Sequence, residues 1–166
     1  MCLVLRPAVA GDVAFLTEML VEAVNWRPGR AFSRERIMAD PASAHYVAGW
    51  PRNGDLGTIA EAAGVPIGAA WLRLLPADDP GYGFVAADIP ELSIGVVADW
   101  RRQGIGRSLL RAVIAQARAT GVTGVSLSVE RDNPAQALYS AEGFRTVRSE
   151  LNADTMVMTL GAAGGG

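Results

Sequence analysis

The chain is nearly empty of the residues that most often build metal and thiol chemistry. Among its 166 residues there is one cysteine, Cys2, and one histidine, His45. A lone cysteine forms no disulfide within the chain and holds no Cys-based metal site. A single histidine excludes a His-rich metal cluster and argues against a His-paired nucleophile, so His45 is read as structural or surface. No apolar run reaches the ~20 residues of a membrane span, and no membrane partner is expected. No basic segment followed by a long apolar stretch opens the sequence, so a signal peptide is not expected and a cytoplasmic location follows by default. A broad basic face is missing too. The formal net charge is −2 and the sequence pI is about 5.4, which argues against a nucleic-acid partner.

What is present is core. Half of the residues are apolar, enough for a single domain over residues 1–160. The last six residues, GAAGGG, have no core-forming side chain, and 161–166 are expected to be a flexible tail. Leu3–Arg6 reads as a first strand. Asp12 is placed to cap a helix through about Val24, with Val13, Leu16, Leu20 and Val24 on one face. Ser33 is placed to cap a second short helix carrying Ile37 and Met38, and Ala42–Trp50 reads as a helical turn leading into a loop. Leu56–Ala62 and Val65–Leu75 read as strands joined at Ala63-Gly64, a tight-turn signal. Pro76–Pro90 is a long loop with Asp78, Asp79 and Asp88, and loops of that length are usually functional or disordered. Arg145–Leu151 and Thr155–Leu160 read as a closing hairpin.

The most informative stretch is ELSIGVVADWRRQGIGRSLL, Glu91 to Leu110. Ile94, Val96 and Val97 make an apolar strand. Arg101, Arg102, Gln103, Gly104, Ile105, Gly106 and Arg107 make a turn. Leu109, Leu110, Val113, Ile114 and Ala117 then recur at helical spacing. The first N–H groups of a helix have no partner within it and sit at the positive end of its dipole. Glycines let an anion approach them, and Arg101, Arg102, Arg107 and Arg111 add forked donors. Such a turn is a seat for a pyrophosphate. A Walker loop fails because Arg107, and no lysine, follows Gly106. A dinucleotide fingerprint fails because its third glycine place holds Leu109, and because Asp99–Gln103 separates the strand from the glycines.

The order Arg101, two residues, Gly104, one residue, Gly106 resembles the pyrophosphate-binding pattern of the GNAT family of N-acetyltransferases. A second motif follows a strand at Val122–Val129. Asn133, Leu138, Tyr139, Gly143 and Phe144 stand in the family's order, with Asn133 and Pro134 suited to a helix start and Gly143 to its end. The resemblance runs from about Leu3 to Leu160 and is tightest from Glu91 to Phe144. It implies an α/β GNAT fold, a mixed twisted central β-sheet flanked by helices, with strands that splay at the cofactor site. It also implies an acyltransferase that moves an acetyl group from acetyl-CoA, as co-substrate and without a metal, to a small-molecule or peptide amine by direct attack in a ternary complex. Family members are often dimers, so a homodimer stays open.

By the same resemblance, Val96 and Val97 offer backbone groups to pantetheine, with Gly95 permitting a bulge or a close approach. Arg101, Arg102, Gln103, Gly104, Ile105, Gly106 and Arg107 hold the pyrophosphate. Ser108 adds a hydroxyl or is an ordinary first-turn residue. Asn133 bonds the cofactor arm, caps its helix, or does both. Tyr139 is the candidate acid, since a phenol's usual pKa near ~10 is close to that of a thiol; the alternative is a tyrosine at the core edge. Glu91 is the candidate base, and the alternative is an exposed residue at a strand start. Ala98, where the family often has proline, changes only the stiffness of the turn. Trp26, Trp50, Trp71 and Tyr82 are candidates for an acceptor pocket, with core packing favoured for Trp71. The rival functions are a non-catalytic acyl-CoA-binding module and an acyltransferase using another acyl group or acceptor.

Overall fold

The computed structural model describes residues 2–161; the expected tail falls, from residue 162 on, outside the described residues. Seven strands form a single sheet in the order β1-β2-β3-β4-β5-β7-β6. They are β1 Leu3–Pro7, β2 Leu56–Ala62, β3 Val65–Arg73, β4 Glu91–Val96, β5 Gly124–Glu130, β6 Arg145–Ser149 and β7 Ala153–Thr159. Every neighbouring pair is antiparallel except β4 and β5. The helices are α1 Val13–Val24, α2 Arg34–Ala39, α3 Pro41–Ala44, α4 Ile105–Thr120 and α5 Ala135–Ala141.

Period-two alternation in the central strands sends side chains to two separate cores. In β3, Ala70 and Leu72 join Leu109, Leu110 and Val113 of α4 on one face, and the bulge where β2 and β3 shift register brings Ile67 to the same side. Ala69 and Trp71 join Leu16, Met19 and Leu20 of α1 on the other. The β2–β3 turn has Ala63 at φ 51° and Gly64 at φ 79°. Two successive left-handed residues are what a two-residue hairpin needs to follow strand twist.

Several local expectations change for physical reasons. Asp12 does not cap α1 with its side chain. Its carboxylate accepts from both terminal nitrogens of Arg6 at 2.8 Å and from Val9 N–H at 2.7 Å, so the chain makes a 3-10 turn over Ala10–Asp12 before the helix begins. The second strand of the first hairpin stops at Arg73 rather than Leu75. The Ala42–Trp50 turn contains α3, opened by Pro41 and capped by the Asp40 carboxylate on Ala42 N–H at 3.0 Å. Ser33 does cap α2, accepting from Arg36 N–H at 3.1 Å. Asn133 accepts from Ala135 N–H at 3.0 Å through Oδ1, two residues before the helix is counted to begin.

Arg73 is the chief polar tie inside the fold. Fully buried, it donates to His45 O at 2.9 Å, to Ala48 O at 2.6 Å and to both carboxylate oxygens of Asp55. Those bonds hold the segment after α3 against the end of β3, which fixes the position of Tyr46. Gly95 fixes α1. The β3–β4 register passes through it without a shift, so no bulge forms there. A Cβ on Gly95 would instead collide with the carbonyl oxygen of Met19 in α1. Gly95→Ala is expected to lower stability by about 1–3 kcal/mol, the usual range for overpacking, as a fall in the urea midpoint at unchanged slope.

Candidate active site

β4 and β5 share one paired position, Glu91 opposite Ser126, where Ser126 N–H donates to Pro90 O at 3.0 Å. Beyond it β4 runs on to Val96 bonded only to β3, so the two central strands part. Val97 N–H donates to Ile67 O of β3 at 2.8 Å. In an antiparallel strand alternate residues bond to the same side, so Gly95 and Val97 face β3 while Ile94 and Val96 turn their amides toward the gap. Val97, expected to offer a backbone group to a ligand, instead has its N–H bonded to Ile67 O and its carbonyl to Trp100 N–H, and its side chain packs with the α1 core. The Val96 carbonyl accepts from Arg101 Nε at 3.1 Å.

The gap opens beside the amino end of α4. Arg102 at φ 62° and Gly104 at φ 80° turn the chain sharply there. Ser108 N–H is bonded to Gly104 O, so the N–H groups of Ile105, Gly106 and Arg107 precede the first intrahelical bond and have no acceptor within the helix. The Ile105 side chain is buried in the core. The arginines are less free than their number suggests. Arg101 pairs with Glu22 at 2.6 Å, and Arg107 and Arg111 both pair with Glu142 at 2.9 Å. Arg102 makes no ion pair among the described residues. Gln103 is exposed, with Nε2 3.4 Å from Asp99 O, and the Ser108 hydroxyl donates to Gly104 O at 3.2 Å; neither lines the gap.

Glu91 is 2% exposed, so it is no solvated strand-start residue. Its Oε1 accepts from Tyr46 OH at 3.1 Å and from Gly83 N–H at 2.9 Å, and its Oε2 is buried without a partner. Tyr46 OH in turn accepts from Tyr82 N–H at 2.8 Å. The loop before β4 reaches this carboxylate only because two of its residues are glycine. A Cβ on Gly81 would collide with the Glu91 carboxylate, and one on Gly83 would fall 2.5 Å from the Leu127 carbonyl carbon. Burial pushes the Glu91 carboxyl above the ordinary carboxylate range, against the opposing pull of Gly83 N–H and Tyr46 OH. His45, 6% exposed, packs edge-on against Tyr46 and joins Asp79 of the same loop at 3.0 Å.

Across the gap stands α5. Tyr139 is 7% exposed and packs edge-on against Phe144. Burial alone raises its phenol, with no hydrogen bond or charge contributing. One cleft of about 1280 Å³ takes in Glu91, Tyr46, Ile94, Val96, Tyr139 and Asn133, together with the turn at Arg101, Arg102, Gly104, Ile105, Gly106 and Arg107. Trp26 and Tyr82 line it too. Trp50 and Trp71 are core residues, donating to Val9 O at 3.1 Å and Tyr46 O at 2.9 Å. Tyr46 and the arginines Arg30 and Arg36 of the same cleft were not marked by any motif.

A strand that parts from its parallel neighbour, open amides at a glycine turn, and a buried carboxylate and a buried phenol lining one cleft define an acyl-transfer fold. The family model for the GNAT acetyltransferases matches residues 16–144, and the chain belongs to that family. A mycothiol acetyltransferase of Corynebacterium aurimucosum is 30% identical over 132 residues, covering 74% of this chain and 40% of that protein. A second mycothiol acetyltransferase, from Saccharomonospora viridis, is 34% identical over 92 residues, 29% of its length. The chain thus spans less than half the length of these curated relatives. Among solved structures, a ribosomal-protein-alanine N-acetyltransferase of Brucella melitensis is 25% identical with a TM-score of 0.66, covering 95% of this chain and 99% of that one. The PaiA N-acetyltransferase of Thermoplasma acidophilum, in complex with coenzyme A, shares the fold at 18% identity and a TM-score of 0.66, covering 96% and 100%.

The raised Glu91 carboxyl has a consequence for stability. At low pH the residue is protonated in both folded and unfolded chains. As pH rises past the ordinary value of 4.5, the unfolded chain ionises freely and the folded chain resists, so stability is lost up to the raised folded value. Glu91→Gln does not titrate. Its stability relative to the parent is expected to improve as pH rises above 4.5 and to level off once the folded carboxyl ionises, read as urea midpoints; a constant difference would show that burial does not perturb this carboxyl.

Proposed function

We propose that this chain transfers an acetyl group from acetyl-CoA to a primary amine, the amine attacking directly within the cleft between β4 and β5. The observation that carries the reading is the parting of β4 from β5, which leaves the Ile94 and Val96 amides open beside the amino end of α4. The residues present fit the co-substrate. Ile94 and Val96 pair with the pantetheine amides. The Ile105, Gly106 and Arg107 N–H groups, with Arg102, hold the pyrophosphate. Arg101 orders the turn through Val96 O and Glu22. Asn133 uses Oδ1 for its cap and keeps its side-chain N–H₂ for the cofactor arm. Acetyl-CoA supplies the thioester carbonyl and the thiol leaving group.

Two side chains manage protons. Glu91 takes a proton from the acceptor, directly or through water; its burial raises its proton affinity toward the working pH, where a general base is most effective. Tyr139 stays protonated at neutral pH and donates to the departing sulfur. Tyr139→Phe is expected to lower kcat about 100- to 10,000-fold, the scale of a general-acid contribution, with coenzyme A affinity by calorimetry within a factor of two or so of the parent. Unchanged turnover would remove Tyr139 from the acid role. Free-thiol release from acetyl-CoA across an amine panel tests the activity itself, and release from no amine would leave only a cofactor-binding module.

Tyr46 provides a separate check on Glu91. Its hydroxyl favours the ionised carboxylate. In Tyr46→Phe that bond is lost, the Glu91 carboxyl rises further, and the acid limb of the kcat/KM profile is expected to move up by about one pH unit. An acid limb that stays in place would separate Glu91 from the proton transfer.

A further inference from the structure

The far wall of the cleft, between α1 and α2, carries a feature that neither proton transfer nor cofactor binding uses. Five side chains alternate there as cation and ring. The Arg27 guanidinium lies 4.6 Å from the Trp26 ring. Arg30 lies 5.9 Å from Trp26 and 5.8 Å from Phe32, and Arg36 lies 4.1 Å from Phe32. Trp26, Arg30, Phe32 and Arg36 all line the cleft that holds Glu91. Stacking on a ring orients a guanidinium and leaves its edge N–H groups free to bind.

The charges along this ladder are not equally available. Arg30 is committed to Glu130, at 2.7 and 3.0 Å, which anchors the ladder to β5. Arg27 donates to the Arg131 carbonyl at 3.3 Å. Arg36 makes no ion pair among the described residues. Asp40, four residues on and also in the cleft wall, has its carboxylate engaged as the cap of α3. The cleft therefore holds a buried carboxylate with one unpartnered oxygen at Glu91 and an arginine without a carboxylate at Arg36. An acceptor that satisfies both is an amine that also bears a carboxylate.

We propose that the acceptor is such an amino acid-like molecule, its amine directed to Glu91 and its carboxylate held by the Arg36 end of the Arg–aromatic ladder. The inference rests on the acetyltransferase reading and names its substrate class. A free amino acid and a short peptide share this chemistry; they differ in whether an α-carboxylate or an acidic side chain meets the arginine.

Thiol release with saturating acetyl-CoA tests it on matched pairs: leucine against leucinamide, phenylalanine against phenylalaninamide, and Ser-Asp-amide against Ser-Asn-amide. The acid of at least one pair is expected to exceed its neutral partner about tenfold in kcat/KM, mainly through KM, and the favoured pair identifies the source of the carboxylate. Arg36→Gln is expected to raise KM about tenfold for that acid, leaving kcat and the neutral partner's KM unchanged, with Arg36→Lys recovering part of the loss. Equal turnover of acid and neutral partner in every pair overturns the substrate class while sparing the activity, and so does an Arg36→Gln variant that weakens both members alike. Thiol release with none of these amines, alongside release with a simple alkylamine, also overturns it. Release with no amine at all sinks the activity and this inference together.

Discussion

The contest between neighbours for two central strands governs this molecule. β4 is held along its length by β3, and α1 presses on it at Gly95 so closely that no side chain fits. β5 is held along its length by β7. Between them there is one paired position. Each strand follows its outer partner, and the sheet's right-handed twist is not bridged across the middle. The opening leaves backbone donors and acceptors exposed inside a fold that otherwise pairs them. Unpaired buried amides are costly, so such an opening persists where solvent or a ligand supplies the missing partners. An extended ligand with amides of its own is the natural complement, which is why the site's chemistry is set first by the backbone.

The buried carboxylate belongs to the same arrangement. Glu91 stands at the last paired position before the strands part, so it faces the cleft and yet lies out of water. Its stability there comes from outside its own strand. Arg73 gathers the carbonyls of His45 and Ala48 and the carboxylate of Asp55, which sets Tyr46. Tyr46 and two glycine-permitted approaches of the preceding loop then close on Glu91. A substitution at Arg73 would thus reach the Glu91 carboxylate through the backbone at His45 and the Tyr46 hydroxyl. The loop before β4 is long because it must come back over β5 to do this, and its glycines are explained by the backbone and carboxylate they meet rather than by flexibility.

Much of the fold was legible because its signals are local. The turn at Arg101–Arg107, the helix after it, the Ala63-Gly64 hairpin and the Asn133–Phe144 segment each announce themselves within a few residues, and each places part of the site. What was not legible depends on register or on distant partners. Whether Val97 or Ile94 faces the gap is decided by which strand claims alternate amides, and the motif is silent on that parity. Asp12 has every local mark of a cap, but Arg6 and the Val9 amide take its carboxylate. Tyr46, Phe32 and Arg36 carry no periodic or motif signal, since they lie in short helices and turns whose placement comes from Arg73 and from packing on α1. Glu91 was marked as a candidate, but its burial was not foreseeable, because the groups that enclose it come from positions 46 and 81–83.

The arginines at the α4 turn show how the charge of such a seat is moderated. Four of them near one helix end suggest a strongly positive patch, yet Glu22 and Glu142 engage three. Helix N–H groups and the single unpaired guanidinium of Arg102 are left to meet an anion. A fixed set of amides recognises a phosphate by shape and direction, whereas loose positive charge recognises any polyanion and fades with salt. Pairing the surplus arginines therefore leaves directed amides, rather than a diffuse positive field, at this helix end. It agrees with a chain whose net charge is slightly negative although it carries a basic turn. The same logic recurs on the opposite wall, where Glu130 neutralises Arg30 and leaves Arg36 as the cation without a carboxylate. In both places carboxylates remove the excess, so that what remains exposed is one oriented donor group rather than a field.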